Sequence, residues 1–208
     1  MIRVSVLIAS HRKELLPRAI ASVAAQTLPA SEIQLLVNAS ADPSLFRTNW
    51  NDLASIAKGE FLVILGDDDT LEPGYLAHAC HALESTRGDI AYSDVAIRDG
   101  SGNFWDLYRH PGSITLETMR QGNKIWQSSL VRRSIWEAVG GYDMGVPYAH
   151  DYDFWVRALK AVATTTYVPM IGWNYYVHSS GRVTDNTDHD ANWRIFDAKH
   201  PGFRVSPG

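Results

Sequence analysis

Two short apolar runs constrain this chain more than any other feature. Val4 to Ala9 (VSVLIA) and Phe61 to Leu65 (FLVIL) are continuous, β-branched-rich stretches without polar alternation, Ser5 apart. Strands of that kind are covered on both faces, so the sheet they build carries helices above and below. The second run leads directly into Gly66-Asp67-Asp68-Asp69, which puts three carboxylates at the carboxyl end of a buried strand.

The segments between these runs supply the helices. Glu14 to Gln26 has apolar residues at Leu15, Ile20, Val23 and Ala24, close to helical spacing, and Glu32 to Val37 is a second strand entered through the turn at Pro29. Strand, helix and strand in that order imply a parallel pair with a right-handed crossover. Asn38 to Pro43 is then a polar loop, Trp50 to Lys58 a helix with Gly59 at its C′ position, Pro73 to Glu84 another helix, and Asp89 to Ile97 a strand. Asp99 to Asn103 (DGSGN) reads as a hairpin turn into Phe104 to Tyr108. The second half is mixed: a strand at Ser128 to Arg132, a helix at Ser134 to Val139 stopped by Gly140-Gly141, a helix at Tyr152 to Val162, and one or two strands within Thr164 to Tyr176.

The fold class expected is α/β: an open sheet in residues 1–97 with an α+β extension in 98–184, together forming one domain. Residues 185–208 form a polar tail, and beyond His178 the Asp/Asn/His-rich chain is expected to be loosely ordered. A length of 208 residues suits a single core. The formal net charge of −4 gives no general attraction to nucleic acid, which is therefore not expected as a partner. Cys80 is the lone cysteine, cannot form an internal disulfide and is read as a packing residue. No run reaches the roughly 18 apolar residues a membrane span needs, and Val4 to Ala9 is expected to be a strand and not the apolar part of a cleavable leader. The expected compartment is the cytoplasm, with peripheral association at a membrane left open.

In open α/β sheets ligands bind beyond the carboxyl ends of the strands, so the loops after Ala9, Val37 and Leu65 line one crevice. Three adjacent carboxylates there repel one another unless protons or a cation neutralise them, and Mg²⁺ or Mn²⁺ accepts such oxygen ligands alongside substrate phosphates. The competing reading is a solvated acidic turn that caps the helix near Pro73. Asp151, in His150-Asp151-Tyr152-Asp153, opens a helix and is either its cap or a catalytic base. His178 ends a strand and is either a hydrogen-bonding surface residue or a metal ligand.

Four ordered segments carry a resemblance: VSVLIASHRKELLPRAIASVAAQTLPASEIQLLV, AKGEFLVILGDDDTLEP, VRRSIWEAVGGYD with AHDYDFWVRA, and YYVHSSGRVT. Over about Ile2 to Thr184 the chain resembles the inverting GT-A glycosyltransferases of family 2, which build bacterial polysaccharides and cell-surface glycans. The resemblance implies a Rossmann-like GT-A sheet that binds a nucleotide-diphosphate sugar, with a UDP-sugar as the first expectation, and transfers the sugar to a hydroxyl of a glycan, a lipid-linked or a small-molecule acceptor. Gly66-Asp67-Asp68 matches the family's DXD motif, which makes Asp68 the first ligand for Mn²⁺ or Mg²⁺, Asp69 and His178 further ligands, and Asp67 a donor contact beside Ala9, Ser10, His11 and Asn38. Asp151 matches the family's catalytic base. The chain departs from the pattern at Val37-Asn38-Ala39-Ser40, where the family has an acidic pair and Gly-Ser, and in the shorter stretch before Gly59. Two other functions use the same residues: a silent binding module of this fold, and metal-dependent hydrolysis of a nucleotide sugar.

Overall fold

A computed structural model describes residues 3–37, 43–110, 112–161, 163–178 and 189–205. The two runs form the centre as expected. β1 (Val4–Ser10) is buried along its whole length and pairs in parallel with β2 (Glu32–Val37) on one side and β3 (Phe61–Gly66) on the other. The crossover helices are α1 (Leu16–Ala24) and α2 (Pro43–Ile56). Beyond β3 the chain adds β4 (Thr70–Leu71), α3 (Tyr75–Thr86), β5 (Ile90–Asp99) and β6 (Phe104–Tyr108), then α4 (Leu116–Met119), β7 (Leu130–Arg132) and α5 (Arg133–Val139). α6 (His150–Lys160), β8 (Thr165–Val177) and α7 (His189–Lys199) complete it. Among the described residues the strands form one eight-stranded sheet in the order β2-β1-β3-β7-β5-β8-β4, with β6 beside β5.

The parallel half is β2-β1-β3, and β7 joins it antiparallel to both β3 and β5. The region Thr164 to Tyr176 is a single strand, β8, parallel to β5 with register irregularities around Asp94. Two apolar cores lie on the two faces. Val6, Ile8, Val63 and Leu65 pack with α1 and α3, and Leu7, Leu62 and Ile64 pack with α2, α5 and α6. Cys80 is buried in the first of these, as a packing residue.

Three expectations are corrected. α2 runs from Pro43 to Ile56 and not from Trp50 to Lys58: it starts at the last residue of what reads as a polar loop and takes in residues 44–49, which carried no assignment. Gly59 is not a helix C′ residue. It lies against β1, where its N–H donates to Ser5 Oγ at 2.8 Å and a Cβ would come within 2.5 Å of the Ser5 backbone nitrogen. The chain after His178 is not loosely ordered throughout, because residues 189–199 form α7. The reason is three aromatic residues in a polar segment: Phe196 and Phe203 are buried in the core and Trp193 packs against it.

Phe196 stacks on Tyr152 of α6 at a centroid distance of 4.6 Å. Beneath them Asp153, wholly buried, accepts from Arg157 Nε at 2.8 Å and pairs with His200 Nε2 at 2.9 Å. The C-terminal helix is thus fastened to α6 by both apolar and ionic contacts. Truncating a fully buried Phe typically costs about 3–5 kcal/mol. Phe196→Ala is therefore expected to lower unfolding free energy by about 3 kcal/mol or more in urea titrations, whereas a change under about 1 kcal/mol would mean that α7 is not part of the core.

Candidate active site

The carboxyl ends of β1 and β3 lie side by side because the strands pair in register, Ala9 opposite Gly66. The acidic triplet then divides into three different environments. Asp67 is buried and accepts from Ser10 Oγ at 3.2 Å, from the backbone N–H groups of His11 at 3.2 Å and Arg12 at 3.0 Å, and from Arg12 Nη2 at 2.7 Å. Four donors from one loop fix the turn that follows β1. Ser10 is buried beneath that turn, while Ala9 and His11 line the adjacent cavity.

Asp68 is the more accessible carboxylate. Its Oδ2 lies 2.6 Å from Arg12 Nη2 and 3.3 Å from His178 Nε2. Its backbone carbonyl accepts from Arg18 Nη2 at 2.6 Å, and the Arg18 guanidinium rests on the Tyr176 ring at 3.5 Å. Asp69 turns the other way and accepts from the Tyr176 N–H at 3.1 Å. Burial, reinforced by the charge of Asp68, pushes Asp69 well above the usual carboxylate range and favours its neutral form. Gly66 makes this bunching feasible, since a Cβ there would sit 2.9 Å from Asp68 Oδ1 and 3.1 Å from Asp69 Oδ2.

Among the described residues no group of three or more His, Cys, Asp or Glu side chains is arranged to hold a metal ion. Asp68 and His178 nevertheless make a pair that fits one. The Nε2 atom of His178 is buried, faces Asp68 and has no hydrogen-bond partner among the described residues. Two protein donors suffice for a cation that takes its other ligands from a diphosphate and water.

A cavity of about 870 Å³ takes in both Asp67–Asp69 and Asp151. Part of its wall is a cluster of aromatic rings in which Trp126 meets Tyr108 at 5.3 Å, Tyr175 at 5.4 Å and Trp173 at 5.8 Å. Asp151 lies inside the first turn of α6, and the cap position belongs to Ala149, whose φ of 54° is left-handed and whose side chain cannot cap. Such a backbone costs a non-glycine residue roughly 1–2 kcal/mol, a strain of the kind that collects at working sites. Asp151 Oδ2 accepts from Asn123 Nδ2 at 2.8 Å, and Asn123 Oδ1 accepts from the Ile125 N–H at 3.2 Å. Burial raises the Asp151 pKa to about 6, against the opposing pull of the Tyr152 N–H and Asn123. The neighbouring His150 is pushed down to about 4, by burial first and by Arg47 second, and so is neutral.

The structure therefore gathers Ala9, His11, Asp67, Asp68, Asp69 and Asp151 around one cavity, with His178 beside Asp68 and Ser10 beneath Asp67. Asn38, with Ala39 and Ser40, lies outside the described residues. Sequence reasoning missed Arg12, Asn123, and the α7-side residues Trp193 and Arg204 that also line the cavity. Arg12 carried a signal: a basic residue just past the first strand, where an acidic strand end needs neutralising. Asn123 carried none, because it sits in an aperiodic loop.

No family model matches the chain. A PGL/p-HBAD biosynthesis glycosyltransferase of Mycobacterium tuberculosis is 27% identical over 158 residues, covering 73% of this chain and 59% of the relative. An uncharacterized glycosyltransferase of Bacillus subtilis, YwdF, is 27% identical over 110 residues, 50% of this chain and 40% of its own. The chain thus spans about three-fifths of the length of the mycobacterial relative. Among solved structures, S. aureus TarS 1–349 in complex with UDP-GlcNAc superposes with a TM-score of 0.75 at 12% identity, over 95% of this chain and 65% of that one. The chain thus has a GT-A-like fold, and in sequence it is similar to these glycosyltransferases.

Proposed function

We propose that the chain transfers a sugar from a nucleotide-diphosphate sugar to an acceptor hydroxyl, by one-step displacement with inversion. The observation that carries this reading is the shared cavity: Asp151, with its carboxyl raised to about 6, opens onto the same space as the strand end that bears Asp67–Asp69. Asp151 is the general base that takes the acceptor's proton, and a pKa near 6 suits a group that is ionised at neutral pH yet basic enough to accept one. Asn123 orients the carboxylate by its 2.8 Å bond. Asp153 is unsuited to that role because Arg157 and His200 occupy both of its oxygens.

The donor's diphosphate lies at the β1 and β3 ends, against the loop that Asp67 organises. Asp68 and His178 would hold a divalent cation there, Mn²⁺ or Mg²⁺, which would supply positive charge against the leaving diphosphate. The solved neighbour is described with UDP-GlcNAc, which makes UDP-sugars the first donors to test. The glycosyltransferase names of the relatives support an acceptor within glycoconjugate synthesis.

If Asp151 is the base, Asp151→Asn leaves donor binding intact and slows transfer by about 10²-fold or more. In the parent protein kcat/KM for the acceptor rises with pH through about 6 and levels off above it, because the carboxylate form is the active one. The stability effect has the opposite sign. Ionising a carboxylate whose folded pKa is raised costs stability, and that cost grows from the ordinary carboxylate pKa up to about 6 and persists above it. Asp151→Asn is accordingly no less stable than the parent at pH 7. A variant with turnover within a few-fold of the parent contradicts the assignment.

For the cation, isothermal titration of UDP into the parent is expected to give binding at least about tenfold tighter with Mn²⁺ than with EDTA, and Asp68→Ala or His178→Ala removes most of that difference. Equal affinity in Mn²⁺ and in EDTA contradicts the metal pair.

A further inference from the structure

One side chain offsets part of the triplet's charge in this structure. Arg12 Nη2 stands 2.7 Å from Asp67 Oδ1 and 2.6 Å from Asp68 Oδ2, so a single guanidinium nitrogen bridges two neighbouring carboxylates. The Asp68 oxygen it touches is the one that faces His178 Nε2. The rest of the guanidinium is poorly held: Nε is buried without a hydrogen-bond partner among the described residues. Arg12 also lines the cavity. The nearby Arg18 is committed elsewhere, to the Asp68 carbonyl and the Tyr176 ring.

A divalent cation and a guanidinium cannot share one carboxylate oxygen without strong repulsion at a few ångströms. We infer that Arg12 is the counter-ion of Asp68, that a divalent cation displaces it from that carboxylate, and that it then contacts the donor's diphosphate. The inference rests on the cation reading of Asp68 and His178 and adds a residue to it. Asp67 keeps its Ser10 and backbone donors when Arg12 moves, so the loop after β1 survives the exchange. The freed guanidinium, with several donors in a planar fork, matches phosphate oxygens. Cation and nucleotide thereby become coupled: the cation binds poorly alone because it must expel Arg12, and the diphosphate offsets that cost by receiving it.

Calorimetric titration of Mn²⁺ without nucleotide, into the parent, Arg12→Gln and Arg12→Lys, tests this. Arg12→Gln removes the competing charge and is expected to bind Mn²⁺ about tenfold tighter than the parent, while Arg12→Lys, which keeps the charge, stays within about threefold. With Mn²⁺ saturating, Arg12→Gln is expected to bind UDP about tenfold more weakly than the parent. If Arg12→Gln does not fold, the NMR signals of the parent's arginine side chains serve instead, and adding Mg²⁺ is expected to shift the Arg12 guanidinium signal. Unchanged Mn²⁺ affinity in Arg12→Gln, or an Arg12 signal indifferent to a bound Mg²⁺, overturns the counter-ion role while leaving the metal pair standing. Absence of Mn²⁺ binding in every variant, with and without UDP, overturns the metal pair and this inference with it.

Discussion

The buried carboxylate of Asp67 is the interaction on which the rest of the site depends. It stands at the end of β3 and draws in a hydroxyl, two backbone amides and a guanidinium from the loop after β1. Charge-assisted bonds in a poorly solvated place are stronger than neutral ones, and leaving any of these donors unpaired would be costly. The two strands thus end in a fixed shape instead of two independent loops. Gly66 permits it by leaving room for the carboxylates of Asp68 and Asp69 to fold back against the strand end.

From that fixed point the triplet acquires a division of labour that adjacent identical residues would not have in water. Asp67 is saturated by protein donors, Asp69 is buried against the Tyr176 N–H with its pKa pushed up by burial, and Asp68 keeps an accessible oxygen toward His178 and Arg12. The repulsion implied by three consecutive aspartates is eased within the protein itself by Arg12, which bridges Asp67 and Asp68. The opposite side of the chemistry is built differently. Asp151 takes its character from burial and from one oriented amide, on a helix whose first turn follows a strained Ala149.

The parts legible in the sequence were those dictated by short-range pattern. VSVLIA and FLVIL read as buried central strands because both faces are covered, and the DGSGN turn read as a hairpin because its residues favour that geometry. That Asp67, Asp68 and Asp69 would line the crevice beyond the strand ends was legible because their strand is buried on both faces, whereas Asp151 read alone was as good a helix cap, and the fold puts Ala149 in that position. What escaped was whatever tertiary contact decides. The polar composition after His178 hid the helix that Phe196 and Phe203 hold in place, and nothing local marks Asn123 as the partner of Asp151. Gly59 looked like a helix stop because that is the commoner use of glycine, whereas here its missing Cβ lets the chain pass against Ser5. Arg12 carried a signal in its place just past the first strand, but only the pairing of β1 with β3 shows which aspartates it meets.

One-step displacement in a cavity that takes in both the acidic strand end and Asp151 inverts the anomeric centre of the donor sugar. Proton NMR of the reaction in progress tests it most directly, with an α-linked UDP-sugar, Mn²⁺ and a panel of glycan acceptors. The expected first-formed product is the β-linked glycoside, with UDP release dependent on the acceptor. A product that retains the α configuration, or free sugar released at the same rate with no acceptor present, would contradict it.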